Sequence, residues 1–345
     1  MKNKIIIIGG AGFIGTNAVF SFVKKKYKIL VLDSLGYAGN LRNINKLVKS
    51  KLINFKKCDI SNYLRLKKII FEYKPNLILN FAAESHVDRS IDNPNIFFNS
   101  NILGVYNLVE IIRDFNKKNK ININFFQVST DEVYGSVIKG SSSEKSFINP
   151  SSPYSASKAA SDAIVQGWCK TYNINYYISR CTNNYGPFQF PEKLIPITLY
   201  RCLNDLDIQI YGNGKNIRDW IYVDDHINGI QQIIENGEPN NIYNIGAHNE
   251  ISNLDIINNI ISILKSLQKN NFIDNFSSKI KYVNDRPAHD IRYSLNTKKI
   301  KNITKWNIKS NFKKRLKETV VWYITNKQWS KQVLRDKTVL NRIGL

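Results

Sequence analysis

Short apolar runs alternate with longer amphipathic segments through the first half of the chain. The runs are rich in Ile, Leu, Val and Phe, and they lie at residues 5–8, 29–32, 77–80, 123–128 and 176–180. Apolar residues recur at helical spacing in the segments between them, at residues 13–25, 63–73, 96–116 and 154–172. Continuous apolar strands that alternate with helices are typical of a parallel sheet covered on both faces. The pattern therefore predicts an α/β fold built on a doubly wound parallel sheet.

The pattern becomes irregular after residue 180, where three prolines interrupt any long element. Helical periodicity returns near residues 224–236, 252–267 and 311–325, with short strands between. We predict a first domain at 1–182, with returning segments near 219–246 and 284–296, and a smaller α/β substrate domain mainly at 183–345.

A glycine-rich turn, GGAGFIG, follows the first apolar run and opens the first predicted helix. The spacing of Gly9, Gly12 and Gly15 permits a tight turn, close approach of a pyrophosphate and close packing of helix on strand. Asp33 ends the second run, where a carboxylate accepts hydrogen bonds from a ribose hydroxyl and disfavours a 2′-phosphate. Together they predict a Rossmann-type dinucleotide site that prefers NAD to NADP. The alternative for Asp33 is an acid that caps a helix or lies in a solvated loop.

Tyr154 and Lys158 lie four residues apart, which places them on one face of a predicted helix. A phenol titrates near pH 10 in water, and a nearby ammonium and a nicotinamide cation lower that value towards the range of a useful base. The same spacing is common by chance in a surface tyrosine and a solvated lysine. Combined with the glycine turn, the pair indicates the chemistry of short-chain dehydrogenases and reductases.

A second polar cluster, STDEVYG, follows the run at 123–128. Residues at the carboxyl end of a strand in an open α/β sheet face the ligand crevice. Thr130 supplies a hydroxyl that polarises a substrate oxygen, and Asp131 and Glu132 supply the acid and the base that an elimination needs. An acidic turn capped by Gly135 is the alternative for either carboxyl alone.

Composition narrows the class of protein. The chain has 345 residues, of which 43% are hydrophobic and 22% charged, so it is globular and long enough to bury a large core. Its four cysteines lack metal-site spacing and its four histidines are scattered, so we predict neither a metal site nor a disulfide framework. No apolar segment has the length of a signal or a membrane span, so we expect a cytoplasmic protein without a membrane partner.

The chain is strongly basic, with 50 Lys and Arg against 27 Asp and Glu and a formal net charge of +23. Nucleic-acid binding is one interpretation of such a charge. The lysines are dispersed, however, and no basic segment is interleaved with aromatic residues. We therefore favour a general bias in composition and expect no nucleic-acid partner.

The chain resembles the dTDP-glucose 4,6-dehydratase family of extended short-chain dehydrogenases/reductases, from residue 4 to about residue 322. The resemblance rests on the motifs GGAGFIG, YAGN, AAESHVDRSID, STDEVYG, SPYSASKAASD, NNYGPFQFPEKLIP, RDWIYVDDH and DRPAHD. The related 4-epimerases usually carry small residues at the positions of Asp131 and Glu132. That pair therefore distinguishes a dehydratase from an epimerase.

The resemblance implies an internal redox cycle. Tyr154 would take the proton of the glucosyl C4 hydroxyl while hydride passes to NAD, with Thr130 polarising the C4 oxygen. Glu132 would remove the C5 proton, and Asp131 would protonate the C6 hydroxyl as it leaves as water. The hydride then returns to C6, which gives a 4-keto-6-deoxy sugar.

The resemblance also assigns binding roles. The residues implied to hold NAD are Gly9, Gly12, Phe13, Ile14, Gly15, Asp33, Asp59, Ile60, Ala82, Ala83, Ser100, Tyr154, Lys158 and Asn184. Those implied to hold the nucleotide sugar are Ser85, Thr130, Asn183, Lys193, Leu194, Ile195, Pro196, Tyr211, Arg218, Asn253, Arg286 and His289. Arg218 and Arg286 are the candidates for a diphosphate clamp, since a guanidinium fork matches phosphate geometry. By itself, Asp59 is equally well interpreted as a strand-end cap, and Asn253 as a helix cap.

Three positions depart from the family pattern. Ala288 replaces a usual glycine, and Gly36 and Ser100 stand where threonine is commoner. None of them is one of the predicted catalytic residues.

Three alternative functions remain. UDP-glucose is a rival substrate, because thymine and uracil differ by one methyl group, worth only about 1–3 kcal/mol of discrimination. The others are an NAD-dependent nucleotide-sugar 4-epimerase and a non-catalytic protein that binds nucleotides or nucleic acid. Dehydration of GDP-mannose is disfavoured by Asp33, which argues against NADP.

The predicted helices at 96–116 and 154–172 carry more apolar positions than one sheet face needs. By resemblance they pair across a homodimer as a four-helix bundle. The resemblance further implies a role in deoxysugar biosynthesis, such as the supply of dTDP-rhamnose.

Overall fold

The structure is a computed structural model that describes residues 4–119, 122–274 and 276–334. The start of the first predicted domain, 1–3, and the end of the second, 335–345, lie outside the described residues. The strands are β1 (Lys4–Ile8), β2 (Lys28–Asp33), β3 (Ile53–Lys57), β4 (Leu77–Asn80), β5 (Asn124–Thr130), β6 (Tyr176–Cys181), β7 (Asn183–Tyr185), β8 (Ile208–Tyr211), β9 (Ile217–Tyr222), β10 (Asn241–Ile245), β11 (Glu250–Ser252) and β12 (Ile280–Val283). The α-helices are α1 (Phe13–Lys24), α2 (Asn45–Lys49), α3 (Tyr63–Tyr73), α4 (Val87–Asp92), α5 (Pro94–Phe97), α6 (Gly104–Lys118), α7 (Pro153–Thr171), α8 (Leu194–Cys202), α9 (Val223–Asn236), α10 (Asn253–Lys269), α11 (Lys298–Thr304), α12 (Phe312–Thr325) and α13 (Lys327–Val333).

Seven strands form one parallel sheet in the order β10-β6-β5-β4-β1-β2-β3. The strand order runs outward in both directions from β1 and β4, so the prediction of a doubly wound parallel sheet is confirmed. The two edge strands, β3 and β10, were absent from the apolar runs. Three residues of β3 are exposed and β10 contains two asparagines, so neither sequence has a continuous apolar run.

Apolar cores cover both faces of this sheet. Ile5 and Ile7 of β1 point into one core, and Ile6 and Ile8 point into the other, as the alternation of side chains along a strand requires. Helices α1 and α9 pack on the first face, and α3, α6 and α7 pack on the second.

A second lobe is built from two small sheets, β11-β9-β7 and β12-β8, with α8, α10 and α12. It has its own core, in which Trp220, Ile257 and Leu316 are almost fully buried. None of the helices in the described part of the chain is both long and apolar enough to cross a membrane.

The single helix predicted at 96–116 is three pieces instead. Helix α5 leads into a π-helical stretch at Phe98–Leu103, and α6 begins at Gly104. An added Cβ on Gly104 would lie 2.5 Å from the side chain of Ile60, so the helix approaches the segment after β3 more closely than a larger residue allows. The wider π turn holds Asn101, whose side chain bonds both backbone groups of Glu84, at 2.9 and 3.0 Å. Such π turns are frequent at functional sites.

One ion pair is buried between the sheet and α7. Arg180 Nε donates to Asp162 Oδ2 at 2.9 Å, and both side chains are at most 3% exposed. Arg180 also donates to the hydroxyl of Tyr134 at 2.9 Å.

We expect Arg180→Met to lower the free energy of unfolding by about 3–5 kcal/mol, because it leaves the charge of Asp162 buried without its guanidinium. The double variant Arg180→Met/Asp162→Leu should recover most of that loss. Urea unfolding measures the stability of the single and the double variant. The control is Lys56→Met in the exposed Lys56–Glu72 pair, which should change stability by less than about 1 kcal/mol. Equal losses of stability in Arg180→Met and Lys56→Met would contradict the interpretation.

Candidate active site

A cleft of about 470 Å³ lies along the carboxyl ends of β1 to β4, bounded by the π-helical stretch. We call it the cofactor cleft. The residues predicted for the cofactor that line it are Gly9, Gly12, Asp33, Asp59, Ile60, Ala82, Ala83 and Ser100.

The glycine turn has the shape that a pyrophosphate requires. Gly9 has a φ of +74°, and an added Cβ there would lie 2.6 Å from the amide nitrogen of Ala82. An added Cβ on Gly15 would lie 2.0 Å from the carbonyl oxygen of Gly9. At Gly12 the nearest such atom is 3.4 Å away, so the space beside it opens into the cleft. Helix α1 starts here without a capping side chain, and its first amides are available to an anion.

Asp33 holds the neighbouring loop as well as lining the cleft. Its carboxylate accepts from the amides of Ala11 at 2.9 Å and Leu35 at 2.8 Å. Burial raises the pKa of Asp33, and these two backbone hydrogen bonds oppose the rise. A carboxylate has lone pairs beyond the two used here. The residues present therefore fit a dinucleotide whose ribose hydroxyls meet Asp33.

Several residues predicted for the cofactor have side chains that make contacts within the protein itself. Phe13 and Ile14 pack against the core, so only their backbone belongs to the turn. Asn184 is absent from the cleft lining because its side chain is used internally: its amide donates to the Thr182 carbonyl at 3.0 Å, and its oxygen lies 2.9 Å from His226 Nδ1. The side chain of Asp59 accepts from the amide and the hydroxyl of Ser61, each at 2.8 Å, as a strand-end cap does.

Helix α7 brings Tyr154 and Lys158 to the end of β5. It begins with a capping box between Ser152 and Ser155. Lys158 Nζ donates to the carbonyl of Val128 at 2.7 Å. Tyr154 is buried, and its ring packs edge-on against Phe97 with centroids 6.3 Å apart.

The titration of Tyr154 differs from the expectation. Burial, together with the charges of Glu132 and Cys181, raises its pKa well above 10, and a hydrogen bond with Thr130 opposes the rise. The ammonium of Lys158 is engaged by the Val128 carbonyl, and burial lowers its own pKa. Lowering the pKa of the phenol therefore requires positive charge beyond that of Lys158.

Asp131 and Glu132 occupy a short 3₁₀ turn that directly follows β5. The turn is capped by Thr130, whose hydroxyl oxygen accepts from the Glu132 amide at 3.2 Å. Asp131 is 3% exposed, and burial with the charges of Glu132 and Asp219 raises its pKa well above the usual range. Its Oδ2 has no hydrogen-bond partner among the described residues. This environment favours the protonated acid.

Glu132 lies in a different environment. Burial raises its pKa, but Arg286, Arg218 and Lys193 act against that rise. Adjacent carboxyl groups whose environments separate their titration are suited to opposite roles, one as acid and one as base. The two carboxyl groups therefore differ in their surroundings: three cations oppose the rise at Glu132, whereas Asp131 has a buried oxygen without a partner among the described residues.

A second cleft of about 240 Å³ begins at Glu132 and runs between the segment 85–88 and the second lobe. We call it the substrate cleft. The residues predicted for the substrate that line it are Ser85, Asn183, Lys193, Leu194, Tyr211, Arg218, Asn253, Arg286 and His289.

Ile195 and Pro196, also predicted for the substrate, are buried and absent from this lining, and Ile195 joins the core of the second lobe. Lys193 and Leu194 are followed in the lining by Ile197, Thr198 and Arg201, the spacing of one helix face.

Three cations of the cleft are held by oxygen atoms. Lys193 Nζ donates to the Ser85 carbonyl at 2.7 Å, and Arg218 donates to the Asp290 carbonyl at 2.9 Å. Arg286 Nη1 lies 3.4 Å from Asp88 Oδ1, while its Nε has no partner among the described residues. The cleft is therefore prepared for an anion with several oxygens.

Asp88 and Tyr293 belong to the site although sequence reasoning missed them. Asp88 accepts from the hydroxyl of Tyr211 at 2.5 Å and also faces Arg286. The Tyr293 ring lies 4.3 Å from the guanidinium of Arg218. Asp88 is three residues from Ser85 in a motif already singled out, which was the one available signal.

Glu84 lines the cofactor cleft, and burial beside Glu192 raises its pKa to about 7.

Ala288 has a φ of +52°, a left-handed conformation that glycine adopts without strain. This conformation explains why glycine is usual at this position in the family that the chain resembles.

The fold, the Tyr154–Lys158 pair and the two clefts define an extended short-chain dehydrogenase/reductase. The family described as GDP-mannose 4,6 dehydratase matches residues 6–319. The chain is 38% identical to the dTDP-glucose 4,6-dehydratase of Escherichia coli over 99% of both chains. It is 40% identical to that of Salmonella typhimurium, over 96% of this chain and 95% of the other. The chain belongs to the dTDP-glucose 4,6-dehydratase family.

Solved structures show the same relationship. The crystal structure of DesIV, a dTDP-glucose 4,6-dehydratase from Streptomyces venezuelae with NAD and TYD bound, has a TM-score of 0.88 at 35% identity, covering 96% of this chain and 99% of that one. The UDP-glucose 4-epimerase of Thermotoga maritima, with UDP-glucose, has a TM-score of 0.82 at 25% identity, covering 94% and 99%.

We expect Asp131→Asn to raise the free energy of unfolding at pH 7 by at least about 1 kcal/mol, the equivalent of one pKa unit. A raised pKa in the folded protein means that ionisation opposes folding, so the native Asp131 costs stability as the pH rises above the value of a free aspartate, near 4. The gain should therefore shrink when urea unfolding is repeated at pH 4. Asp92→Asn, at an exposed position, serves as control and should stay within about 0.5 kcal/mol at both pH values. A gain that does not depend on pH would contradict the interpretation.

Proposed function

We propose that the protein converts dTDP-glucose to dTDP-4-keto-6-deoxyglucose and water, with NAD as a resident cofactor. The observation that carries the proposal is the adjacent buried pair Asp131 and Glu132, whose carboxyl groups have different surroundings and would act as the acid and the base of an elimination. The relatives of the chain named above are dTDP-glucose 4,6-dehydratases, and the similar structure of DesIV contains NAD.

NAD supplies a hydride acceptor for C4 of the sugar and a hydride donor for C6, so the overall reaction consumes no oxidant. The glycine turn would hold its pyrophosphate and Asp33 a ribose. Ala82, Ala83 and Ser100 would complete the wall of the cofactor cleft.

Tyr154 acts first, taking the proton of the C4 hydroxyl. Thr130 opposes the rise in the pKa of the Tyr154 phenol, and its hydroxyl would orient the same sugar oxygen. Lys158 is held in the site by its hydrogen bond to the Val128 carbonyl.

Elimination follows from the C4 ketone, which acidifies the neighbouring C5 proton. Glu132 takes that proton, and Asp131 gives its own to the C6 oxygen as the C6–O bond breaks and water leaves. Glu132 then returns its proton to C5 when C6 is reduced. The proton that Tyr154 gained from the C4 hydroxyl balances the one that Asp131 lost.

The diphosphate would lie among Lys193, Arg218 and Arg286. All three face the substrate cleft, and the unpartnered Nε of Arg286 is a donor available to an anion. A buried donor without a partner is costly, so a phosphate oxygen there satisfies a need already present in the fold.

Mass spectrometry of products tests the reaction. The purified protein is incubated separately with dTDP-glucose and UDP-glucose, first without and then with added NAD. Loss of one water from dTDP-glucose is expected, with a higher rate than from UDP-glucose. Faster loss from UDP-glucose would change the assigned nucleotide, and an inverted sugar without loss of water would establish an epimerase.

The variant Glu132→Gln should lower the rate of water loss by about 10²–10⁴-fold, since it removes a general base and preserves shape. Glu72→Gln is the matched control, because Glu72 lies in an exposed ion pair far from either cleft, and it should act as the native protein does. Equal rates in all three proteins would refute the role of Glu132.

We further propose a homodimer in the cytoplasm, serving deoxysugar biosynthesis such as that of dTDP-rhamnose. All four cysteines are buried free thiols, which suits a reducing compartment. Apolar side chains remain exposed on and before α6, among them Phe98, Leu103 and Tyr106. Tyr106 packs edge-on against Trp168 of α7, so the two helices offer one continuous face.

Light scattering coupled to size exclusion should give the mass of two chains. Tyr106→Glu should shift the protein towards one chain, because a carboxylate would be buried in the interface. Lys117→Glu, near the end of the same helix, controls for added negative charge and should leave the dimer intact. A native protein that runs as a single chain at micromolar concentration would refute the homodimer.

A further inference from the structure

The segment Lys327–Val333 with Leu334 contacts the part of the chain that forms one wall of the cofactor cleft. We call residues 327–334 the strap, and residues 34–43, which follow β2, the cofactor loop. The indole nitrogen of Trp329 donates to Asn43 Oδ1 at 2.8 Å. At the other end of the strap, Leu334 is buried in a cluster with Phe190, and Tyr37 and Ala38 of the cofactor loop pack against this cluster.

The cofactor loop is bonded to the glycine turn through Ala11. The Ala11 carbonyl accepts from the amide of Asn40 at 3.0 Å and from Asn43 Nδ2 at 3.1 Å. Asn43 is buried and thus bridges two partners, donating to the glycine turn and accepting from Trp329. A movement of the strap therefore reaches the pyrophosphate turn through one side chain.

Trp329 itself is fixed by other aromatic rings. Its ring lies edge-on to Trp322, Phe188 and Tyr323, with centroids 5.2, 6.1 and 6.1 Å away. Phe188 in turn stacks on Phe20 of α1 at 5.9 Å. The strap is therefore anchored both to the second lobe and to the helix that starts at the glycine turn.

Tyr37 and Ala38 pack against the cluster that Leu334 forms with Phe190, and both also line the cofactor cleft. A dinucleotide bound under the cofactor loop leaves most directly when that loop moves outward. This movement breaks the bond between Asn43 and Trp329 and separates the loop from that cluster. This places the contacts of the strap in the barrier to dissociation.

We propose that the strap is a positioning element that sets how long NAD remains bound, acting through Trp329 and Asn43 on the glycine turn and through Leu334 on the cofactor loop. The proposal rests on the NAD site of the proposed function. It adds that residency of the cofactor depends on a segment that does not line the cofactor cleft.

The rate of NADH release from the full-length protein tests the proposal without any turnover. The protein is loaded with NADH and mixed with excess NAD, and the fall in NADH fluorescence is followed. Trp329→Phe keeps an aromatic ring but removes the N–H donor, and we expect release about fivefold faster, as the loss of one ordinary hydrogen bond implies. Leu334→Ala, which opens the other contact, should accelerate release at least as much.

Trp322→Phe is the matched control. Trp322 belongs to the same group of rings, whereas the bond to Asn43 comes from Trp329. Release from this variant should stay within about twofold of the native rate. Thermal unfolding of each variant separates loosened cofactor binding from general loss of structure.

A double-mutant cycle tests the route through Asn43. In an Asn43→Ala background, Trp329→Phe should have almost no further effect, because the shared bond is already gone. Undiminished acceleration in that background would overturn the route. Native release rates in folded Trp329→Phe and Leu334→Ala would overturn the strap itself.

The two proposals fail in different ways. A native protein that binds NADH, yet removes water from no sugar nucleotide, would refute the proposed reaction and leave the release measurements valid. Conversely, dehydration of dTDP-glucose with release unaffected by the strap variants would refute only the strap. With saturating NAD, the variants should keep native kcat for water loss and show a raised requirement for added NAD.

Discussion

Removing two adjacent carboxyl groups from water is the constraint on which the rest of this structure depends. Burial makes ionisation of Asp131 and Glu132 costly, and their mutual repulsion adds to that cost. Three cations of the second lobe, Lys193, Arg218 and Arg286, oppose the rise in the pKa of Glu132. Those cations are themselves held by Asp88 and by the backbone carbonyls of Ser85 and Asp290. The contacts of Lys193 with Ser85 and of Arg286 with Asp88 therefore join the second lobe to the segment that follows β4.

The parallel sheet supplies the geometry for that balance. Because all its strands point the same way, the glycine turn after β1, the wall residues after β4 and the acid pair after β5 meet along one edge. The cofactor cleft and the substrate cleft share this edge, and the segment 82–88 contributes its first residues to one and its last to the other. Two ligands that must exchange a hydride are thereby brought side by side.

Much of this could be predicted from the sequence because local patterns encode it. Strands buried on both faces appear as apolar runs, and the glycine turn and the Tyr154–Lys158 pair carry fixed spacings. The features that the sequence did not reveal are those decided by distant contacts. The edge strand β3 needs no apolar run, Ile195 points away because the phase of α8 is set by the second lobe, and Asp88 gains its role from residues more than a hundred positions later.

The bond from Trp329 to Asn43 joins positions 286 residues apart. Chains are synthesised at about 5–20 residues per second, so roughly 15–60 s separate the emergence of these two partners from the ribosome. The glycine turn and the strands beside it are therefore available for folding long before the last contact that braces them. A dinucleotide captured by the nascent domain before Trp329 emerges therefore meets a cofactor loop that lacks this brace.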